Sequence, residues 1–145
     1  MTTPVAVLGS SGSIGTQTLE IIRSDPERYR VTALGVGRSD LVVAQAEEFR
    51  PDVVAVADVD AAAEIGPRLP PGTELLVGEQ SMADAARTAD TVINGVVGFA
   101  GLSVTLATLE AGKRLGLANK ESLIAAGPVV QRAWKTPGAE IVPVD

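Results

Sequence analysis

Short β-branched runs alternate along this chain with alanine-rich segments of helical period, and that alternation restricts its possible folds more than any other feature. Seven runs are strand candidates: Val5–Leu8, Arg30–Val36, Asp52–Ala57, Glu74–Val77, Thr91–Val97, Arg114–Ala118 and Glu140–Val144. Six segments between them are helix candidates: Ile14–Ser24, Asp40–Phe49, Val59–Leu69, Ser81–Ala89, Leu102–Ala111 and Lys120–Lys135. Strands that alternate with helices form βαβ units, in which helices cover both faces of a mostly parallel sheet. We therefore expect a doubly wound α/β domain over residues 1–145, with about seven strands.

The residue types that are missing limit the chemistry that the chain can perform. It contains neither cysteine nor histidine, which excludes disulfides, thiol nucleophiles and His-ligated metals. The net charge is −6 and no basic run occurs, which argues against nucleic-acid binding. No apolar stretch reaches the ~18 residues needed to span a membrane, and no secretory signal precedes the first apolar run. We expect a cytoplasmic protein with neither nucleic acid nor membrane as a partner.

A glycine-rich segment directly follows the first strand candidate. In "VAVLGSSGSIG", Gly9, Gly12 and Gly15 are spaced as G-x-x-G-x-x-G, which differs from the strict G-x-G-x-x-G. Such a turn lets backbone N–H groups approach a pyrophosphate, and the start of the next helix adds a favourable dipole. Three serines offer hydroxyls to the same oxygens: Ser10, Ser11 and Ser13. A tight turn alone also uses glycine, but within a βαβ unit we interpret the segment as the dinucleotide loop of a Rossmann-like domain.

The residues after the second strand candidate bear on which dinucleotide is bound. NAD-binding units usually carry an acidic residue there for the ribose 2′-hydroxyl, whereas NADP-binding units carry an arginine. In "LGVGRSD", Arg38 can pair with a 2′-phosphate, Gly37 permits close approach and Ser39 can donate a hydrogen bond. Asp40 is the competing ribose ligand, and Arg38 and Ser39 also suit a solvated loop residue and a helix cap. We favour NADP over NAD.

The other unusual residues also follow strand candidates, so they share the edge of the sheet where ligands bind in open α/β folds. "NGVVGFAG" follows the fifth strand, where Gly98 and Gly101 can open a tight passage beside the nicotinamide, or simply make the loop flexible. "ANKE" follows the sixth strand, and Asp145 ends the seventh. Asp145 on its own is better explained as a frayed terminal residue.

"GLANKESL" contains one residue that local structure does not explain. Asn119 can cap the following helix, and Glu121 suits the positive end of the helix dipole. Lys120 is unfavourable in a first helical turn and has no part in the cap. On local grounds alone, a plain helix start remains the favoured reading over a ligand-binding role for Lys120.

Taken together, these motifs closely resemble the 1-deoxy-D-xylulose 5-phosphate reductoisomerase family. The matching stretches follow one another in family order: "LGSSGSIGTQTLEIIR", "VTALGVGRS", "VVGFAGLSVTLATLEAGK", "LANKESLIAAG" and "PVD". Of these, "LANKESL" is highly specific, whereas "GSSGSIG" is shared with other NADP enzymes. The resemblance covers the family's N-terminal NADPH-binding domain, which is well under half of the enzyme.

The resemblance implies an enzyme that isomerises 1-deoxy-D-xylulose 5-phosphate and reduces it with NADPH to 2-C-methyl-D-erythritol 4-phosphate, in non-mevalonate isoprenoid synthesis. By matched motif, the cofactor phosphates contact Ser11, Gly12, Ser13 and Ile14. The adenosine ribose and its 2′-phosphate contact Gly37, Arg38 and Ser39. Asn119 and Glu121 match residues near the nicotinamide, and Lys120 matches the residue that reaches the substrate. Asp145 matches a ligand of the divalent metal, Mg²⁺ or Mn²⁺.

The resemblance also implies what lies outside these 145 residues. The family tends to form homodimers through other parts of the enzyme, and further metal ligands lie downstream. Because the chain ends on a strand, we expect it to be the first domain of a longer protein. Because the family's downstream catalytic segments are not among these residues, we expect the 145 residues to be inactive alone. Two alternatives stay open: a free-standing NAD(P)-binding redox sensor, and another NADP oxidoreductase such as a semialdehyde dehydrogenase.

Overall fold

The computed structural model describes residues 2–118 and 121–144, and within them strands and helices alternate along the chain. The strands are β1 (Thr3–Leu8), β2 (Tyr29–Val36), β3 (Val53–Val56), β4 (Glu74–Val77), β5 (Thr91–Asn94), β6 (Arg114–Leu117) and β7 (Glu140–Pro143). The helices are α1 (Ser13–Ser24), α2 (Leu41–Phe49), α3 (Val59–Ile65), α4 (Ser81–Ala86), α5 (Gly98–Glu110) and α6 (Glu121–Trp134). The alternation predicted from the sequence is confirmed.

All seven strands join one parallel sheet in the order β4-β3-β2-β1-β5-β6-β7. The chain builds the sheet outward from β1 in one direction, then crosses back and continues from β5 in the other. The boundary between β1 and β5 is therefore the topological switch point, outside which open α/β folds bind their ligands. The doubly wound architecture is confirmed.

Each face of the sheet has its own apolar core. Successive residues of a strand point to opposite faces, so Val5 and Val7 enter one core while Ala6 and Leu8 enter the other. Side chains of α1, α2 and α3 complete the first core, and those of α4, α5 and α6 complete the second. The inner strands are largely buried on both faces, as their near-continuous apolar runs require, whereas the edge strands β4 and β7 are partly exposed. None of the helices in the described ranges is long and apolar enough to cross a membrane.

Several helix boundaries differ from those predicted. Proline and glycine end α3 at Ile65, after which Gly66–Arg68 form a 3₁₀ turn. Helix α5 begins at Gly98, four residues before the predicted Leu102, for a reason given below. Helix α6 contains Pro128, and the backbone at the preceding Gly127 is non-helical (φ 44°, ψ −117°), so the helix is kinked there.

Two exposed ion pairs give the fold a small pH dependence. Arg30 Nη2 lies 2.7 Å from Asp52 Oδ1, and Arg23 pairs with Glu48. In each pair the side-chain hydrogen bond from arginine lowers the carboxyl pKa below its ordinary value. A lowered pKa in the folded state stabilises the fold above the unfolded pKa, and this stabilisation is lost as pH falls through the folded pKa.

We therefore predict that Asp52→Asn lowers the free energy of unfolding by no more than about 0.5 kcal/mol at pH 7, because both partners are exposed. The difference from the wild type should shrink as the pH falls through the lowered pKa that the Asp52 carboxyl has in the folded state. Urea unfolding over a series of decreasing pH values measures it, with Glu27→Gln as an exposed control. A difference that persists or grows in acid would contradict the assignment.

Candidate functional site

The glycine loop between β1 and α1 is anchored to the neighbouring strand. The N–H groups of Gly9 and Ser10 both donate to the carbonyl of Gly35 at 2.9 Å, and Gly9 has a positive φ of 82°. Ser10 is fully buried, and its hydroxyl lies 3.4 Å from the same carbonyl. The expectation that the Ser10 hydroxyl faces cofactor phosphates is therefore wrong, because this side chain points into the protein.

Gly12 and Gly15 have different reasons to be glycine. A Cβ atom at Gly15 would lie 2.2 Å from the carbonyl oxygen of Gly9, so α1 packs against the loop too closely for any side chain. A Cβ atom at Gly12 would meet nothing closer than 3.5 Å, the same oxygen at ordinary contact distance. Gly12 is exposed, so its missing side chain leaves space for a ligand outside the protein.

A row of backbone donors surrounds Gly12. Gly12 N–H itself donates to Gly9 O at 3.1 Å, and the first hydrogen bond of α1 runs from Thr16 N–H to Gly12 O at 2.9 Å. Within residues 2–118 and 121–144, no backbone acceptor pairs with the N–H groups of Ser11, Ser13 or Ile14. The first turn of α1 carries no acidic side chain. Unpaired N–H groups at a helix start attract an anion such as a phosphate.

The glycine loop contacts β5 at the switch point. A Cβ atom at Gly9 would lie 2.8 Å from the carbonyl carbon of Gly95, and Gly95 N–H donates to Leu8 O at 2.8 Å. On the other side of Gly95, a Cβ atom would lie 3.6 Å from the Cβ of Ile14. The start of α1 and the end of β5 are therefore in close contact, with Ile14 at their boundary.

Asn94, which the sequence reading overlooked, organises the loop after β5. This buried residue donates through Nδ2 to Gly101 O at 2.8 Å and to Thr105 Oγ1 at 3.0 Å, and its Oδ1 accepts from Val96 N–H at 3.0 Å. A Cβ atom at Gly101 would lie 2.2 Å from Val96 O. These contacts explain the early start of α5. A polar residue that ends an apolar strand run was the available signal.

The passage expected at Gly98 and Gly101 stays a prediction, and only one of the two glycines leaves open space for it. Gly98 is exposed with a φ of 72°, and a Cβ atom there would meet nothing within 4 Å. Gly101 is buried inside the first turn of α5, where it permits close packing and lines no open passage.

We predict that Asn94→Ala lowers the free energy of unfolding by about 2–4 kcal/mol, because it removes three hydrogen bonds and leaves buried partners unpaired. Thermal or urea unfolding measures the loss. Thr91→Ala, at the amino end of the same strand, is the control and should change stability far less. An Asn94→Ala protein as stable as the wild type would show that the Asn94 network does not hold the loop.

The residues after β2 form the second part of the site. Gly37 is exposed, and a Cβ atom there would meet nothing within 4 Å. Arg38 is also exposed, and its side chain forms no ion pair or hydrogen bond with any residue in the described part of the chain. The guanidinium is thus available to an anionic ligand at the same edge of the sheet as the glycine loop.

Ser39 and Asp40 are engaged in local contacts. Ser39 Oγ accepts from the N–H of Leu41, the first residue of α2, at 3.3 Å, although the N-cap position itself is Asp40, and the Ser39 hydroxyl proton is still available for a ligand. Asp40 Oδ2 lies 3.5 Å from Nη1 of Arg68, with both side chains exposed. This pairing turns the Asp40 carboxylate toward Arg68, which makes Asp40 a less suitable ligand for the ribose.

The remaining predicted residues follow β6 and β7. Glu121 is the first residue of α6, whereas Asn119, Lys120 and Asp145 lie outside the described residues. Val144 N–H donates to Leu117 O at 3.0 Å, so these two strands end side by side. Among residues 2–118 and 121–144, no group of three acidic side chains can hold a metal ion. The metal assignment of Asp145 stays a prediction.

The described part of the chain also has surface cavities away from the glycine loop. One of about 340 Å³ lies at the opposite, amino end of the strands, where its charged side chains neutralise one another. Lys113 Nζ is 3.7 Å from Asp90 Oδ1, and Arg114 Nε is 3.2 Å from Glu140 Oε2. We therefore place the candidate ligand site at the unpaired N–H groups of the glycine loop and at Arg38, and not in this cavity.

A parallel doubly wound sheet, a glycine turn that starts a helix at the switch point, and an available arginine after the second strand define a dinucleotide-binding α/β domain. Residues 5–127 match the family model for 1-deoxy-D-xylulose 5-phosphate reductoisomerase. The chain belongs to this family.

Individual relatives agree with the family assignment. The 1-deoxy-D-xylulose 5-phosphate reductoisomerase of Prochlorococcus marinus (strain NATL2A) is 46% identical over 97% of this chain and 37% of its own length. The enzyme from Zymomonas mobilis in complex with NADPH superposes with a TM-score of 0.93 and 34% identity, over 100% of this chain and 39% of that one. A crystal structure of DOX-P reductoisomerase in complex with NADPH, fosmidomycin and magnesium superposes with a TM-score of 0.89 and 42% identity, over 97% of this chain and 36% of that one. The chain thus spans less than two fifths of the length of these relatives.

Proposed function

We propose that residues 1–145 are the NADPH-binding domain of a 1-deoxy-D-xylulose 5-phosphate reductoisomerase. The observation that carries this proposal is the row of unpaired N–H groups around Gly12, beside the switch point of a parallel sheet. Family membership supports it, and so does the likeness to a family structure in complex with NADPH.

The geometry of the described residues fits a dinucleotide. The N–H groups of Ser11, Ser13 and Ile14 and the open side of Gly12 would hold the pyrophosphate, with the positive end of α1 behind it. Ile14 beside Gly95 would border the path toward the nicotinamide. When bound, NADPH supplies hydride from its nicotinamide C4.

At the other end of the cofactor, Arg38 would pair with the 2′-phosphate. Gly37 leaves room for the ribose to approach the backbone, and the Ser39 hydroxyl has a proton to donate. An arginine pairs well with a phosphate because its planar guanidinium presents several N–H donors together.

For the whole protein we propose the family reaction, with 1-deoxy-D-xylulose 5-phosphate as substrate. Lys120 would contact substrate oxygens, Asn119 and Glu121 would lie near the nicotinamide, and Asp145 would be one ligand of a divalent metal, Mg²⁺ or Mn²⁺. A hard cation needs several oxygen ligands, so the rest of this set would come from beyond the 145 residues. A homodimer in the cytoplasm completes the proposal. The 145 residues alone would bind NADPH without turning over substrate.

The direct test is a calorimetric titration of the 145-residue chain with NADPH, with NADH as the matched ligand. We expect saturable 1:1 binding of NADPH and at least about tenfold weaker binding of NADH, because only NADPH offers a 2′-phosphate. No binding of either dinucleotide would overturn the proposed function. Turnover is tested separately, by following NADPH oxidation with substrate and Mn²⁺ in the whole protein and in the 145 residues.

A further inference from the structure

Gln45 is a buried polar residue to which the proposed function assigns no role. It lies in α2 with 8% of its surface exposed, and its helix neighbours Val42 and Ala46 are fully buried. Its Nε2 donates to the carbonyl oxygen of Ser10 at 2.8 Å, across 35 residues of sequence. Its Oε1 is buried and finds no partner among the described residues.

Stability alone does not account for a glutamine at this position. A buried amide oxygen without a partner costs about 1–3 kcal/mol, which offsets what the hydrogen bond from Nε2 to the buried Ser10 carbonyl contributes. The amide orientation follows from chemistry, since Ser10 O can only accept a hydrogen bond and therefore faces the NH₂ group. The structure thus keeps an unfavourable buried oxygen while it preserves one hydrogen bond to the glycine loop.

That hydrogen bond fixes the direction of a peptide group. The described chain has no cis peptide bond, so the N–H of Ser11 points opposite to the C=O of Ser10. Because Gln45 draws the Ser10 carbonyl toward α2, the Ser11 N–H is directed away from α2. Ser11 N–H is one of the unpaired donors assigned above to the pyrophosphate.

We propose that Gln45 is a positioning residue for the cofactor pyrophosphate, acting through the Ser10–Ser11 peptide. This inference rests on the proposed function. The N–H groups of Gly9 and Ser10 are held by Gly35 O, so Gln45 supplies the second anchor of the loop, on the carbonyl side. Two anchors on opposite sides leave the peptide one orientation, with its donor toward the ligand.

Gln45→Met tests the proposal, because methionine has a similar length and shape but no donor. We expect the variant to unfold within a few degrees of the wild type, because the lost hydrogen bond to Ser10 O is offset by removal of the unpartnered Oε1, and its Kd for NADPH to be raised about tenfold. The Kd for adenosine 2′-monophosphate, which carries the 2′-phosphate but no pyrophosphate, should change less than about twofold. Ser81→Ala removes the other unpartnered buried side-chain atom and should leave both affinities unchanged.

Each outcome decides one question. An unchanged NADPH affinity in a folded Gln45→Met protein overturns the positioning role, and so does an equal loss for both ligands, because that would indicate a general effect on the fold. Absence of NADPH binding by the wild type overturns the proposed function itself. Should Gln45→Met fail to fold, NMR of the wild type decides. One Gln45 side-chain N–H should exchange far more slowly than those of exposed Gln17 and Gln131, and equally fast exchange would show that the anchor is absent.

Discussion

Gly15→Ala is expected to lower the free energy of unfolding by roughly 3 kcal/mol and to weaken NADPH binding at least about 100-fold. The new Cβ atom would lie 2.2 Å from Gly9 O and 2.6 Å from Ser10 Cα, both of them backbone atoms. No side-chain rotation relieves such contacts, so α1 must move away from the loop. The donors on Ser11, Ser13 and Ile14 then no longer converge, and each hydrogen bond to a charged phosphate is worth about 1.5–3 kcal/mol.

Two other glycines separate the effect on folding from the effect on the ligand. Gly12→Ala should keep most of the stability, because its Cβ atom would have only ordinary contacts, yet it should weaken NADPH binding by filling the ligand's space. Gly72→Ala is strained by a φ of 90°, but it lies in the turn before β4, at the far edge of the sheet. The Gly72→Ala protein should be less stable than the wild type but should bind NADPH with unchanged affinity. Urea unfolding and calorimetry on the same preparations measure both quantities, and a Gly15→Ala protein with native stability and affinity would contradict the packing argument.

The architecture followed from local patterns because every βαβ unit repeats the same physical requirement. A strand that is apolar on both faces must be covered on both faces of the sheet. Two neighbouring parallel strands are joined by a crossover connection, which is usually a helix that covers one of those faces. The glycine loop was also readable, since Gly9, Gly12 and Gly15 occur where a strand turns directly into a helix. The positions of Gly37 and Arg38 followed from the same rule, one strand further along the chain.

What the sequence could not show depends on contacts between distant segments. Ser10 looks like its neighbours Ser11 and Ser13, and only the pairing of β1 with β2 turns its hydroxyl toward Gly35. Asn94 fixes the start of α5 through residues on that helix, so a pattern based on neighbouring residues misplaced the boundary.

For Gln45 the sequence did contain a signal, a polar residue within an apolar helix face, but that signal did not identify a role. It shares the i, i+3, i+4 spacing of Val42 and Ala46, which places it on the buried face of α2. A single polar residue in such a stripe is compatible with several roles. Only the packing of α2 against the glycine loop in the folded protein identifies Ser10 as the hydrogen-bond partner of Gln45.

Arg38→Ala is expected to raise the Kd for NADPH about 30-fold while leaving the Kd for NADH within about twofold. A charge-assisted hydrogen bond contributes about 1.5–3 kcal/mol, and tenfold in affinity corresponds to about 1.4 kcal/mol. Arg38 is exposed and forms no ion pair with residues 2–118 or 121–144, so its removal breaks no contact that the described fold needs. Thermal stability should therefore match that of the wild type.

The opposite end of the same strand supplies the matched control for this prediction. Arg28 precedes β2 and stacks over the ring of Tyr29, with its guanidinium carbon 5.5 Å from the ring centre. Arg28→Ala removes the same charge at the edge of the sheet far from the proposed cofactor, so both dinucleotides should bind as before. Added salt should weaken NADPH binding more in the wild type than in Arg38→Ala, because exposed charges are screened. If Arg38→Ala binds NADPH as tightly as the wild type, or if the wild-type protein prefers NADH, Arg38 does not bind a 2′-phosphate. Asp40 would then be the candidate ligand for the ribose.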